Sequence, residues 1–456
     1  MQRYTVALIW SLPVPSSRLH AAGIGLASCL LASAAFAHDH MPLRGRLVFA
    51  DHEKPVVRIL DLDSGEVTHS FEVPKANPGF AGVSGGRYVV VKTGDEAGTL
   101  RILDTGLIAE SHGDHVDLEK APPKLLDFMT TGDRPAHVIS GQGQLGLFYD
   151  GLRPWEGKSE PKVVMLAIDS LSKTKPDVTI WPSPAPQHGI AVPLGARQWL
   201  LSVPNPAYAK GDDRSASPRP NGFEVLEQGK PASKDGGWKR ITGFNDPARA
   251  DASCKLYHGY AAARGGRHLF GCAEGEGGGL LVLSKAGKSA AGWSALKLAY
   301  PDERRVSALK SREAARFLVG NYGLKAPYDS LLRIDPEAKA LSAGDVLAVP
   351  GGQAVCQFEL SGNGSRLANL TPDGKLRVYE VAPAWKELAS FDAVPAFDCA
   401  YGAKTPTPSL AVTGSSAFVS DPVAGRIREY HLDTLKQGLD MPVGGMPANL
   451  AGSDAG

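Results

Sequence analysis

The sequence predicts an all-β fold, a single β-propeller of eight blades, with seven blades as the alternative. Three observations carry that expectation. Amphipathic helical periodicity is nearly absent, and apolar residues alternate or run in short stretches between Gly, Pro and Asp. One strand-like unit recurs eight times along the chain. The two ends of the chain supply complementary strands of one blade.

The first 37 residues read as a secretory signal and not as part of the fold. Arg3 and Arg18 precede the apolar run from Ala21 to Phe36, which closes on Ala35-Phe36-Ala37, the small-residue pattern of a cleavage site. Leu26-Ala27-Ser28-Cys29 also has the form of a lipoprotein box, but the residues after Cys29 are apolar where a polar tether belongs. Cleavage is therefore expected after Ala37, leaving His38 first. No later stretch approaches the roughly 18 apolar residues of a membrane span, so no membrane insertion is expected. Residues 38–45 form a His-containing tail, and 46–456 the propeller.

Loss of the signal takes away two Arg and no acid, turning 49 basic against 48 acidic residues into 47 against 48. A balance so close to neutral gives no electrostatic reason to propose nucleic acid or an anionic membrane as partner. A monomer is expected. Four cysteines remain, Cys254, Cys272, Cys356 and Cys399, and an even number in an exported chain favours disulfides. None belongs to a Cys-x-x-Cys motif, so a thiolate zinc cluster lacks its spacing.

The recurring unit is a short strand that opens on Gly or a polar residue and often closes on Asp or Glu. Its eight copies are Val56–Asp61, Gly98–Asp104, Val163–Asp169, Gly222–Glu227, Gly278–Ser284, Ser330–Asp335, Gly374–Glu380 and Gly425–Asp433. A period of several strands repeated this often is what radial four-stranded blades produce. A pair of shorter apolar strands precedes each copy, as in His137–Ser140 with Leu147–Tyr149. The first of each pair is expected to line the axial channel. The first copy lacks such an inner strand, since Arg46–Ala50 leads directly into Val56. Met446–Leu450 at the C-terminus resembles Arg134–Val138 and can supply it, which would close the ring and remove two exposed edges.

Aligning the inner strands places Phe80, His137, His188, His258, Val306, Cys356, either Phe397 or Cys399, and Asn449 at one height around the channel. The third to fifth blades would then present His137, His188 and His258 inward together. Neutral imidazole nitrogens are preferred zinc ligands outside thiolate sites. One inner-strand His is more often a packed, hydrogen-bonded side chain than a ligand, but three at equivalent positions are hard to attribute to packing. His112-Gly113-Asp114-His115 adds two imidazoles beside carboxylates upstream of His137, with a solvated polar turn as the competing reading. His115 is the better candidate of the two, because its loop leads toward His137. A chain starting His38-Asp39-His40 combines a free amine with two imidazoles, a weak chelating motif suited to transient transfer.

Cys254 and Cys272 are expected to face each other across a hairpin turning near Arg264-Gly265-Gly266. Cys356 and Cys399 are expected to start the inner strands of neighbouring blades and bridge them. Enzyme motifs are missing: there is no P-loop or His-Glu-x-x-His. Gly141-Gln142-Gly143-Gln144-Leu145-Gly146 opens no helix and reads as a hairpin turn.

The His-x-His start, Ser111–His115 and Pro135-Ala136-His137 in an exported propeller resemble the AztD family of periplasmic zinc metallochaperones. The resemblance implies zinc bound in the periplasm and passed to the zinc solute-binding protein of an ABC importer, with no enzymatic activity. The ligand set comes from the residues themselves: His137, His188 and His258, with His115 possible. A metal-dependent hydrolase or lactonase and a metal-free interaction scaffold are the alternatives, since fold alone separates none of them.

Overall fold

The computed structural model describes residues 43–453 apart from 112–115, 196, 230–236, 247, 273–277 and 286–291. The expected signal segment, His38, His40, His112 and His115 lie outside the described residues. Eight four-stranded antiparallel sheets follow one another along the chain as blades. In the third blade the order from the axis outward is Pro135–Gly141, Gln144–Tyr149, Lys162–Ala167 and Val178–Pro182. All eight recurrent units become third strands, from Val56–Asp61 in the first blade to Arg426–His431 in the eighth.

The chain ends meet in the first blade. Pro447–Ser453 is its innermost strand and pairs antiparallel with Arg46–Asp51, Ser453 opposite Arg46 and Pro447 opposite Asp51. His52 N–H donates to the Met446 carbonyl at 2.9 Å and extends that closure.

The core lies between blades. Leu145, Leu147 and Tyr149 of the third blade pack on Tyr88, Val90, Leu100 and Ile102 of the second. Phe223 and Val225 of the fourth pack on Phe270 and Leu281 of the fifth. Second and third strands are covered on both faces and so read as apolar runs, while an outer strand such as Glu66–Glu72 stays largely exposed. The opening Gly of the third strand has a steric cause. Gly374 sits at φ +79°, and a Cβ there would lie 2.0 Å from the Val394 carbonyl at the end of the fourth strand. The closing Asp has one too: Asp61 Oδ1 accepts the N–H groups of Asp63 and Ser64 and shapes the turn.

Four expectations need correction. The eighth inner strand is Leu410–Thr413, so Phe397 and Cys399 lie in the long connection before it, held there by its many Pro residues. Cys399 nevertheless bonds to Cys356, and Cys254 to Cys272. Cys254 does not face Cys272 across two strands, because it lies in the connection ahead of the inner strand Tyr260–Ala263. At the sixth blade the ladder slips between Val306 and Leu309, which sends Val306 into the core between blades and leaves Ser307 near the channel. The second blade also carries an additional hairpin, Leu107–Ser111 with Val116–Lys120, between its third and fourth strands.

Candidate metal centre

Three local devices bring His137, His188 and His258 together. His137 is the third residue of its inner strand, where Ala136 and His137 stand opposite Phe148 alone, between the pairs Pro135–Tyr149 and Val138–Leu147. Such a bulge re-aims a side chain without ending the strand. His188 precedes its strand, Ala191–Pro193, and its N–H donates to the Pro218 carbonyl at 2.8 Å. The connection between the second and third strands of the fourth blade thereby fixes it. His258 also precedes its strand, and its N–H donates to the Gly271 carbonyl at 2.8 Å.

One ring nitrogen from each of the three lies within 4.8 Å of the other two. The ring centroids are 4.5 Å apart for His137–His188, 5.6 Å for His188–His258 and 6.1 Å for His137–His258. All three Nδ1 atoms are engaged from behind. His137 Nδ1–H donates to the Gly189 carbonyl at 2.8 Å, and His258 Nδ1–H to the Ser307 carbonyl at 2.7 Å. His188 Nδ1 lies 2.8 Å from the Asp150 carboxylate. Since carbonyls and carboxylates only accept, Nδ1 carries a proton in each, which leaves Nε2 as the nitrogen that can offer a lone pair to a metal. That is the pattern of metal-ligating histidines, whose other nitrogen is held by a carboxylate or carbonyl.

The electrostatics favour neutral rings. Burial pushes His137 down to about 3, and neighbouring His188 adds to the effect. Burial pushes His258 down to about 4 against the opposing hydrogen bond from the Ser307 backbone. At neutral pH both rings offer unprotonated nitrogen. A cavity of about 230 Å³ adjoins them, lined by His137, Tyr257, His258, Ser307 and Lys310 among others. Two or three imidazole nitrogens with space alongside suit a tetrahedral cation at about 2.0–2.1 Å per nitrogen, with a fourth position for an incoming ligand.

Asp150 is the partner that sequence reasoning missed, and a signal for it exists. Asp51 and Asp421 end second strands and pair with Arg58 and Arg428, two residues beyond their cross-strand neighbours. Asp150 follows the second strand of the third blade in the same way, but Val163 occupies the corresponding place. Freed of a guanidinium, the carboxylate serves His188 and also accepts the Gly189 N–H. Burial raises the pKa of Asp150, with the His188 hydrogen bond opposing.

No family model matches the chain. The zinc chaperone AztD of Citrobacter koseri is 27% identical over 408 residues, covering 89% of this chain and 85% of that protein. This chain is similar to AztD. The crystal structure of Citrobacter koseri AztD superposes with a TM-score of 0.72 at 25% identity, covering 90% of this chain and 98% of that one. The structure of apo AztD from the same organism gives 0.70 at 25% identity over the same shares. The likeness to AztD thus covers about nine-tenths of the chain.

Proposed function

We propose that this protein is a zinc metallochaperone that holds zinc at His137, His188 and His258. The observation that carries the reading is the convergence of three imidazoles, each with Nδ1 held by a carbonyl or carboxylate. Similarity to the zinc chaperone AztD supports the same cargo. Two disulfides suit an exported chain, and we place the protein in the periplasm. The acceptor we propose is the zinc solute-binding protein of an ABC importer.

A carrier must release its ion, and three protein ligands leave a fourth position from which an acceptor's ligand can attack before the last donor ligand leaves. We read the protein as a carrier and not a hydrolase. Asp150, the carboxylate beside the rings, is engaged in orienting His188 and is poorly placed to activate a zinc-bound water as base. His38, His40, His112 and His115 remain candidates for a separate site of capture or transfer.

The test is metal analysis with competitive zinc titration of the wild type and of His137→Ala, His188→Ala and His258→Ala. One zinc per chain at high affinity, lost or strongly weakened in all three variants, is expected. Undiminished affinity and stoichiometry in the three variants would remove the site. Faster zinc movement to the acceptor than spontaneous dissociation allows would distinguish a chaperone from a store.

A further inference from the structure

We infer that the Cys254–Cys272 disulfide is a positioning device for the zinc site, so that its oxidation state sets how tightly His258 contributes to holding the ion. The inference rests on the zinc reading above and concerns only how one ligand is held.

The argument follows the chain. Cys254 lies four residues before His258, outside any strand, in the connection that enters the fifth blade. Without support that connection would be the most pliable part of the site, since His258 precedes its strand and is not held within the ladder. Both sulfurs are buried, Cys254 at 0% and Cys272 at 1% exposure, so the bond is an interior staple. Its other end is Cys272, the residue after Gly271. Gly271 accepts the His258 N–H through its carbonyl and donates its own N–H to the Gly259 carbonyl at 3.2 Å. The same short stretch of the second strand therefore holds the His258 segment covalently at Cys254 and by hydrogen bonds on both sides of His258.

The intervening residues add little independent slack. Leu256 takes φ +49° and donates its N–H to Asn221 Oδ1, and Tyr257 is buried against Phe223 and Phe270. Lys297 donates to the Ser253 carbonyl and lies 3.5 Å from Cys272 Sγ, fastening the outer side of the staple. The other disulfide, Cys356–Cys399, joins the seventh blade to the connection before the eighth and holds none of the three histidines. It is a control built into the same chain.

Linkage makes the inference reciprocal. Closing the staple takes two thiols to one disulfide, with the two electrons and two protons passing to the disulfide of an exogenous thiol–disulfide reagent, which leaves as two thiols. If closure tightens zinc by some factor, zinc must favour closure by the same factor. Losing an orienting partner costs a metal site on the order of ten- to a hundredfold in affinity, and the lower figure is expected for a support acting through four residues. About tenfold corresponds to about 30 mV in the two-electron reduction potential of this bond.

The test compares zinc affinity of the full mature chain as wild type, Cys254→Ser/Cys272→Ser and Cys356→Ser/Cys399→Ser, each at matched thermal stability measured on the same samples. About tenfold weaker zinc binding confined to the first pair is expected, with stoichiometry unchanged. Equal affinity in both double variants, or equal loss in both, overturns the inference. Should the first variant fail to fold, the wild type equilibrated in a graded dithiol–disulfide buffer, with metal-free and zinc-loaded samples resolved by mass mapping of the cysteines, gives the second measurement. Zinc should make Cys254–Cys272 selectively harder to reduce; no zinc-dependent difference overturns the inference equally. Failure of the zinc reading itself appears separately, as loss of binding in none of the three His→Ala variants.

Discussion

At the scale of single residues, the site depends on where its protons sit. Asp150 fixes the His188 tautomer and accepts the Gly189 N–H, while the Gly189 carbonyl holds His137, so one carboxylate helps place two of the rings. Asp150→Asn keeps the shape and loses the charge. Zinc binding weaker by about ten- to a hundredfold is expected, with the circular dichroism spectrum unchanged; competitive titration checks it. The depressed pKa values of His137 and His258 give a pH dependence of opposite sign to that of a salt-bridged histidine. Their folded values, about 3 and about 4, lie below the unfolded value near 6.5, so the unfolded chain takes up more protons between them. Their contribution to stability is complete above about 6.5 and is lost as pH falls through 4 toward 3. The metal-free protein should melt at falling temperature as pH drops from 6.5 to 4, and His137→Asn should flatten that slope in calorimetry. The three histidines were legible in sequence because their register repeats. Asp150 was less so, because its meaning lies in a contrast between blades: two other blades pair the equivalent Asp with an Arg, whereas Val163 stands in that place here.

At the scale of elements, the repeat could be read because the same steric problem recurs in several blades. The left-handed glycine opening a third strand and the Asp closing it are local solutions, visible wherever they recur. Replacing Gly374 with Ala sets a Cβ against the Val394 carbonyl at left-handed φ, and a loss of at least about 1–2 kcal/mol is expected from the backbone alone. Denaturant unfolding, with Gly82→Ala as the comparison because nothing lies within 4 Å of its added Cβ, checks that. What could not be read were departures from the repeat. The bulge at Ala136–His137, the ladder slip near Ser307 and the long connection that carries Cys399 each break the repeat locally. The register therefore placed Val306 in the ring, where the ladder slip instead buries it between the fifth and sixth blades.

At the scale of the whole molecule, the direction of the inner strands sets the three rings on one face and the anchor of the described N-terminal residues on the other. His137, His188 and His258 lie at the starting ends of their inner strands. Arg46 pairs with Ser453, the finishing end of the innermost strand of the first blade, so the chain joins the ring on the opposite face. Arg44 is fastened there: its N–H donates to Asp63 Oδ1, and its guanidinium pairs with the buried Glu429. The base of the additional hairpin shares that anchor, because Lys120 pairs with both Asp61 and Asp63. His38 and His40 precede this anchor in sequence, His112 and His115 fall between the two strands of that hairpin in sequence, and all four lie outside the described residues. The ion is therefore predicted to depend on His137, His188 and His258 and on none of these four. Removal of residues 38–40 should leave the zinc affinity of the triad within about twofold, the scatter of a good competitive titration, while abolishing any weaker second equivalent that His38 and His40 hold. His115→Ala should behave likewise. A tenfold fall in the tight equivalent after either change would mean that the altered side chain is itself a ligand of the same ion, and the assignment of capture and storage to separate sites would have to be abandoned.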